Sequence, residues 1–413
     1  MGYALGIDFG TSGLRAILID EAKTPIWQTG VPLNQQTPAA WWRGLSTVLD
    51  QIPGDWRPEI GAIALNGTSG TVLLCDDSGQ PISDTLLYND PRANSVSPQV
   101  QNLVPPRHPA ASSTSSFSKL IWFRQQSSLP NNTYFLHQAD WLSFRLHGQL
   151  GISDYHNSLK LGYDPQSLNY PDWIPQDTPR LPEVVAPGTA IGTLTPEISR
   201  RFQLPGNCRV HAGTTDSIAA FLASGANQPG DAVTSLGSTL VLKLLSRQRV
   251  DDGRYGVYSH RFGDLWLTGG ASNTGGAVLQ RFFSDTQLQE LSDRLPTGPS
   301  PLHYYPLSQP GERFPINDPN YPPQLDPKPD NSLDFLHGLL DSMARIEAQG
   351  YQRLRELGAT KLQRVYTAGG GANNEAWMRL REERLGVRVS RSLETEAAYG
   401  TALLALHSGL DLD

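Results

Sequence analysis

The chain has 413 residues, 38% of them hydrophobic, and its 33 Lys and Arg against 40 Asp and Glu give a formal net charge of −7. That length exceeds what one hydrophobic core covers, so two domains are expected, and an acidic balance without a dense basic run excludes a general affinity for nucleic acid or for an anionic membrane. Cys75 and Cys208 lack the paired spacing of a zinc site, and no apolar run reaches the roughly 18 residues of a membrane span, so a cytoplasmic protein with reduced thiols, no signal peptide and no transmembrane helix is expected.

The first run, residues 4–20 (ALGIDFGTSGLRAILID), reads as strand, tight turn, strand. Gly10-Thr11-Ser12-Gly13 is too polar and too flexible to continue either flank. Such a turn offers successive N–H groups and two hydroxyls to an anion, and Asp8 projects a carboxylate toward the same place, which suits phosphate and a metal. The plain alternative is an ordinary hairpin with a solvated Asp. Residues 39–51 have helical apolar spacing, and 60–65 read as a buried strand that ends in a second polar turn, Asn66-Gly67-Thr68-Ser69-Gly70, ahead of a further strand, TVLLCD. Ligand sites of α/β sheets sit at such strand ends, which makes Thr68 and Ser69 candidates for binding a polar small molecule; otherwise their hydroxyls serve the local backbone. Asp90 and Arg92 either face a substrate or form a surface ion pair, the default.

Residues 105–118 are a Pro- and Ser-rich loop feeding the helix KLIWFRQQ, with Ser116 or Ser118 as its cap. Residues 134–147 have helical spacing throughout. Recurrent prolines from Pro165 to Pro205 predict an irregular connection with one short helix near 196–203. Residues 208–245 then give strand, Gly213-Thr214-Thr215 turn and helix, with Asp216 in the first helical turn. There Asp216 either stabilises the helix dipole or stands as a base at the mouth of the turn. TSLGSTLVLKL repeats the opening pattern, with Gly237-Ser238-Thr239 between two buried strands, and the repetition suggests two similar domains facing each other over a nucleotide.

Two more glycine clusters follow, GGASNTGGAVLQRFF at 269–283, with Gly269, Gly276 and Gln280, and AGGGANNEAW at 368–377. Neither fits the Walker or the dinucleotide fingerprint. The second follows an apolar strand and opens a helix, so Gly370 and Gly371 could offer N–H groups to an α-phosphate near Asn374, with Trp377 either a wall for the base or plain core. Between the clusters, 332–357 is the longest helical pattern, with an apolar face through Leu336, Leu340, Met343 and Leu354. ETEAAYGTALLALHSG near the end is a small-residue helix that returns to the first domain.

With DFGTSGLR, LNGTSGTVLLCD, KLIWF, AGTTDS, SLGST, GGASNTGGAVLQ, GERFPINDP, AGGGANN and EAAYGTALLA in this order, nearly the whole chain resembles the FGGY carbohydrate kinases. Within them, its short length and the stretches SSTSSFSKL, QADWLS and SDYHNSLKLGYD look closest to the short D-ribulose kinases of cyanobacteria and plants, sometimes labelled xylulose-kinase-like. Two departures are visible: Gly237-Ser238-Thr239 stands where many members have Gly-Thr-Ser, and Asn66 where an acidic residue or Gln is expected. The resemblance implies an α/β fold of two ribonuclease-H-like domains of the actin, hexokinase and heat-shock ATPase type around a central cleft. It implies a sugar-binding domain over 1–223, completed by a C-terminal helix 397–413, and a nucleotide-binding domain over 224–396. It further implies ATP and Mg²⁺ as cofactors and Asp216 as catalytic base. Asp8 would hold the metal with Asp216, and Asp8, Thr68, Ser69 and Asp216 would hold the sugar. The glycine clusters would hold the nucleotide, with Gly10-Thr11-Ser12 and Gly237-Ser238-Thr239 on its β- and γ-phosphates. D-Ribulose is the expected acceptor; kinases for D-xylulose, L-ribulose, glycerol or another polyol, and a nucleotide-gated binding module without a kinase reaction, are the alternatives.

Overall fold

The structure is a computed structural model that describes residues 2–126 and 129–410. The chain divides into two compact units, Met1–Ala223 with Glu396–Asp413, and Ser224–Thr395. No helix among the described residues is long and apolar enough to cross a membrane.

Unit 1 is built on a six-stranded sheet in the order Pro25–Pro32, Gly13–Ile19, Tyr3–Phe9, Ile60–Gly67, Arg209–Thr215, Ala190–Thr193. The strands Tyr3–Phe9, Ile60–Gly67 and Arg209–Thr215 run parallel at its centre, and the rest pair antiparallel. Central parallel strands are covered on both faces, which is why Ala4-Leu5-Gly6-Ile7 and Ile63-Ala64-Leu65 are continuous apolar runs and do not alternate. Trp41, Leu45 and Val48 of the helix Pro38–Gln51, with Trp141 and Leu142 of Gln138–His147, cover one face. On the other, the helix Ala397–His407 lays Ala398 and Ala402 against Ala4, Ile17 and Ala64. The approach is backbone to backbone: a Cβ on Gly6 would collide with Ala398 O and Ala402 N. Residues 411–413 of the expected C-terminal helix lie outside the described residues.

The chain that connects the strands Ile60–Gly67 and Arg209–Thr215 forms a separate apolar cluster around Val72, Phe117, Leu120 and Phe135. Two expectations fail here. Tyr134–His137 is a strand paired with Val72–Cys75, and the helix starts only at Gln138. The run buries Phe135 and Leu136 in two different clusters, which pleating allows and which outweighs the helical spacing. The helix Ser116–Gln126 is capped one residue earlier than expected, with Ser118 N donating to Ser115 Oγ at 3.0 Å.

Unit 2 repeats the plan. Its sheet runs Tyr258–Phe262, Leu265–Ser272, Leu240–Ser246, Asp231–Leu236, Arg364–Ala368, Arg388–Arg391, with antiparallel pairs up to Asp231–Leu236 and parallel pairs beyond it. The 25-residue helix Ser332–Glu356 starts at Asn331, whose side chain accepts from Leu333 N, and buries Leu336, Leu340, Met343 and Leu354 as its spacing predicts.

Candidate active site

In unit 1 the polar groups gather at the carboxyl ends of the three parallel strands. Register places Asp8 beside Asn66 and Asn66 beside Thr214, two residues before Asp216. The turn after Asp8 is closed by Gly10 N donating to Gly13 O at 2.9 Å. Its carbonyls are occupied: Gln36 Nε2 donates to Gly10 O and Thr11 O, and Leu33 N to Ser12 O. What the turn presents outward is therefore mainly donors, with Thr11 and Ser12 exposed.

Asp8 is half-buried, and its Oδ1 is fully covered without a hydrogen-bond partner among the described residues. Burial, then the negative charge of Asp216, pushes its carboxyl up to about 7, against the pull of Arg15. Asp216 opens the helix Asp216–Ala223, half-buried, with Oδ1 accepting from Ser217 N at 2.6 Å. Two carboxylates close enough to raise the pKa of one, together with a buried oxygen lacking a donor, are what a cation would neutralise.

Thr68 and Ser69 lie half-buried in the next turn. Thr68 is tied down: its Oγ1 is 2.6 Å from Thr71 Oγ1, and its N donates to Gln138 Oε1 at 3.2 Å. Gln138 is a residue that sequence reasoning missed. It is buried beneath the turn, its N donates to Thr71 O at 3.0 Å, and its Nε2 has no partner among the described residues. Asp90 and Arg92 form the expected ion pair, with Arg92 Nη2 donating to Asp90 Oδ2 at 2.7 Å.

In unit 2 three glycine clusters converge on one turn. Gly276 N donates to Gly237 O at 2.9 Å and Ala277 N to Ser238 O at 3.2 Å, while Gly369, at φ 83°, passes so close that a Cβ would lie 2.7 Å from Leu236 O. Around this turn lies a cavity of about 480 Å³, lined by Gly237, Ser238, Gly276, Gln280, Gly370, Gly371, Asn374 and Trp377. Asp285 and Gln289 of the helix Asp285–Ser292 also reach it, unforeseen because nothing local links them to the glycines. Thr239 belongs to the same turn.

Gly269 does not join this group. It sits within the strand Leu265–Ser272, paired with Lys243 and Tyr258, lines a different cavity, and is glycine because a Cβ would strike Leu242 O. Trp377 is 2% exposed and part of the apolar core, with its ring under Gly371, so it borders the cavity without presenting an open face. Asn374 caps the helix Glu375–Leu385, accepting from Trp377 N at 2.9 Å and donating to Ser292 Oγ at 2.8 Å.

Residues 3–223 match the N-terminal domain, and residues 232–409 the C-terminal domain, of the FGGY family of carbohydrate kinases. The chain belongs to that family. The xylulose kinase of Bacillus subtilis is 24% identical over 444 residues, spanning 98% of this chain and 88% of that one. Among solved structures, a xyloylose kinase from Brucella ovis has a TM-score of 0.85 at 22% identity, covering 98% of this chain and 90% of its own. The Plasmodium falciparum glycerol kinase with ADP has 0.84 at 16%, covering 99% and 90%. Membership in FGGY makes the chain an ATP-dependent sugar kinase with the two-domain α/β fold of these structures.

Behind the unit 2 cavity this FGGY kinase carries a fully buried ion pair. Arg381 donates from Nε to Glu347 Oε2 at 2.6 Å and from Nη2 to Oε1 at 2.8 Å, with both side chains 0% exposed. Arg381 Nη1 also donates to Thr367 Oγ1 at 2.7 Å, and Thr234 Oγ1 donates to Glu347. Thr234 and Thr367 stand in the two strands that lead to Gly237 and to Gly369, so the pair fixes both approaches to the cavity.

Proposed function

We propose that this kinase transfers the γ-phosphoryl group of ATP to the terminal hydroxyl of a ketopentose, with D-ribulose giving D-ribulose 5-phosphate as the leading reaction. The observation that carries the reading is the pair Asp8 and Asp216, at the ends of two strands that flank Ile60–Gly67, each acting electrostatically on the other and Asp8 with an unsatisfied buried oxygen. Asp216 takes the proton of the attacking hydroxyl. Asp8, with Asp216, would hold Mg²⁺, and the ion would supply neutralisation of phosphate charge. Thr68 N–H and hydroxyl are already committed to Gln138 and Thr71, so the side chain left to meet the sugar at that turn is Ser69. In unit 2 the cavity takes the nucleotide: Gly370 and Gly371 serve the α-phosphate, Gly276, Gln280, Asn374 and the edge of Trp377 line the nucleoside, and the Gly237-Ser238-Thr239 turn meets the terminal phosphates; in unit 1 the Gly10-Thr11-Ser12 turn offers its donors to phosphate.

D-Ribulose is favoured by the short length and by the stretches SSTSSFSKL and SDYHNSLKLGYD, D-xylulose by the xylulose kinases among the relatives. A coupled ADP-release assay over D-ribulose, D-xylulose, L-ribulose and glycerol tests the reading. The expected result is turnover only with sugar present and the highest kcat/KM for D-ribulose. A highest value for D-xylulose would move the substrate, and turnover indifferent to sugar would favour a nucleotide-gated module.

A further inference from the structure

Lys119 is buried to 0% exposure in the helix Ser116–Gln126, within a turn whose neighbours Phe117, Ser118, Leu120 and Ile121 are buried as well. Its Nζ donates to two main-chain carbonyls, Gly70 O and Leu87 O, each at 2.6 Å. Lysine is among the side chains least often fully buried without a charge partner, and a methionine fills a similar volume without the desolvation penalty. The groups whose charge acts on the amine are Asp90, which favours the ammonium, and Lys160 and Arg92, which oppose it; burial, with Lys160 and Arg92 on its side, outweighs Asp90 and draws the amine down to about 7. Asp90 is itself engaged by Arg92.

The two carbonyls belong to segments already linked to each other. Thr71 Oγ1 accepts from Tyr88 N at 3.0 Å and lies 2.6 Å from Thr68 Oγ1. Gln138 holds the first residue of the Thr68-Ser69-Gly70 turn, and Lys119 holds the last. Gly70 adopts φ 84°, a conformation from which the turn relaxes easily once its carbonyl is released. We infer that Lys119 is a positioning residue for the sugar: by gripping Gly70 O and Leu87 O it fixes the main chain that presents Ser69. The inference rests on the reading of that turn as the sugar site.

The test is steady-state kinetics of Lys119→Met on the full chain, with whichever of D-ribulose and D-xylulose is turned over faster. Loss of hydrogen bonds from a charged donor should raise the sugar KM by about 10–100-fold. The KM for ATP should stay within about twofold, since the hydrogen bonds of this network named here all join residues of unit 1. Lys119→Gln, which keeps N–H donors on a shorter arm, should fall between the two. Amide exchange should rise at Ser69–Thr71 and Tyr88–Asp90 and stay unchanged in Tyr3–Phe9. An unchanged sugar KM in the folded Met variant, or an equal rise in both KM values, would overturn the inference. Ser69→Ala run alongside separates the two levels. A sugar KM raised by Ser69→Ala but not by Lys119→Met overturns the role of Lys119 alone. A sugar KM indifferent to Ser69→Ala overturns the sugar-turn reading, and this inference with it.

Discussion

The two units bury charge differently. Unit 2 pairs most of what it buries: Glu347 with Arg381, Asp341 with Arg384 through bonds of 2.7 Å, and Asp231 with Arg364 through bonds of 2.9 Å, while Glu312 is held by the neutral donors Ser272 Oγ, Tyr305 OH and Asn273 N. Unit 1 leaves Asp8, Asp154 and Lys119 without an opposite charge in bonding contact among the described residues; Asp154 relies on Asn157 and the N–H groups of His156 and Asn157, and burial brings all three to about 7. The pairs in unit 2 are scaffolding, since each charge is answered inside the protein. The unanswered charges of unit 1 are costly to the fold, and such groups persist where a ligand, a metal or a reaction uses them.

The contrast breaks most visibly at Asp216. Asp216→Ala should lower kcat about 10²–10⁴-fold while ATP binding, followed by calorimetry, stays near the wild-type value; near-normal kcat would remove it from the reaction. In unit 2 the loss should appear in stability. Arg381→Met strands Glu347 in the core and should cost about 3–5 kcal/mol in urea unfolding. Adding Glu347→Gln should recover part of that, and an Arg381→Met protein as stable as wild type would mean that the pair is not the prop described here.

Asp8 sharpens the comparison because its substitution should move activity and stability in opposite directions. Its carboxyl rises from 3.8 to about 7 on folding, so the folded state binds the extra proton between those values and loses stability as pH climbs through them. Asp8→Asn should therefore raise the unfolding midpoint of the ligand-free protein at pH 8, with the gain shrinking toward pH 4, and it should abolish sugar phosphorylation. A midpoint that falls at pH 8 would show that ionised Asp8 is well solvated or already paired. Lys119 has the opposite sign. Its depressed pKa makes the ammonium costly below about 7, a cost that fades as pH rises toward 10.5, so the stability difference between Lys119→Met and wild type should shift in favour of wild type between pH 7 and 10.

What could be read without coordinates was whatever is local. The strand, Asp8 and Gly10-Thr11-Ser12-Gly13 occupy adjacent positions, so composition and spacing expose that turn and the α/β class, whereas Gly213-Thr214-Thr215, expected as a turn, continues the strand Arg209–Thr215 straight into the helix at Asp216. Gln138 and Lys119 reach their turn from 70 and 49 positions away, and no periodicity announces which buried polar side chain will find which carbonyl. Gly269 shows how a glycine can answer to packing. A glycine in a glycine-rich stretch invites a ligand reading, yet its Cβ is excluded by the neighbouring strand at Leu242. Tyr134–His137 failed because four residues are too few for a period to separate helix from strand, and pairing with Val72–Cys75 determined the outcome.

The close approach of Ala398 and Ala402 to Gly6 joins the first strand of the chain to its last helix. During synthesis the whole of Ser224–Thr395 is made between them. Unit 2 is contiguous and can complete its layers as it emerges, whereas unit 1, begun first, waits with Ala4, Ile17 and Ala64 uncovered until Ala397–His407 has been translated. The order of completion thus reverses the order of the chain, and a nascent polypeptide stalled anywhere before residue 397 exposes an apolar sheet face that a chaperone would recognise.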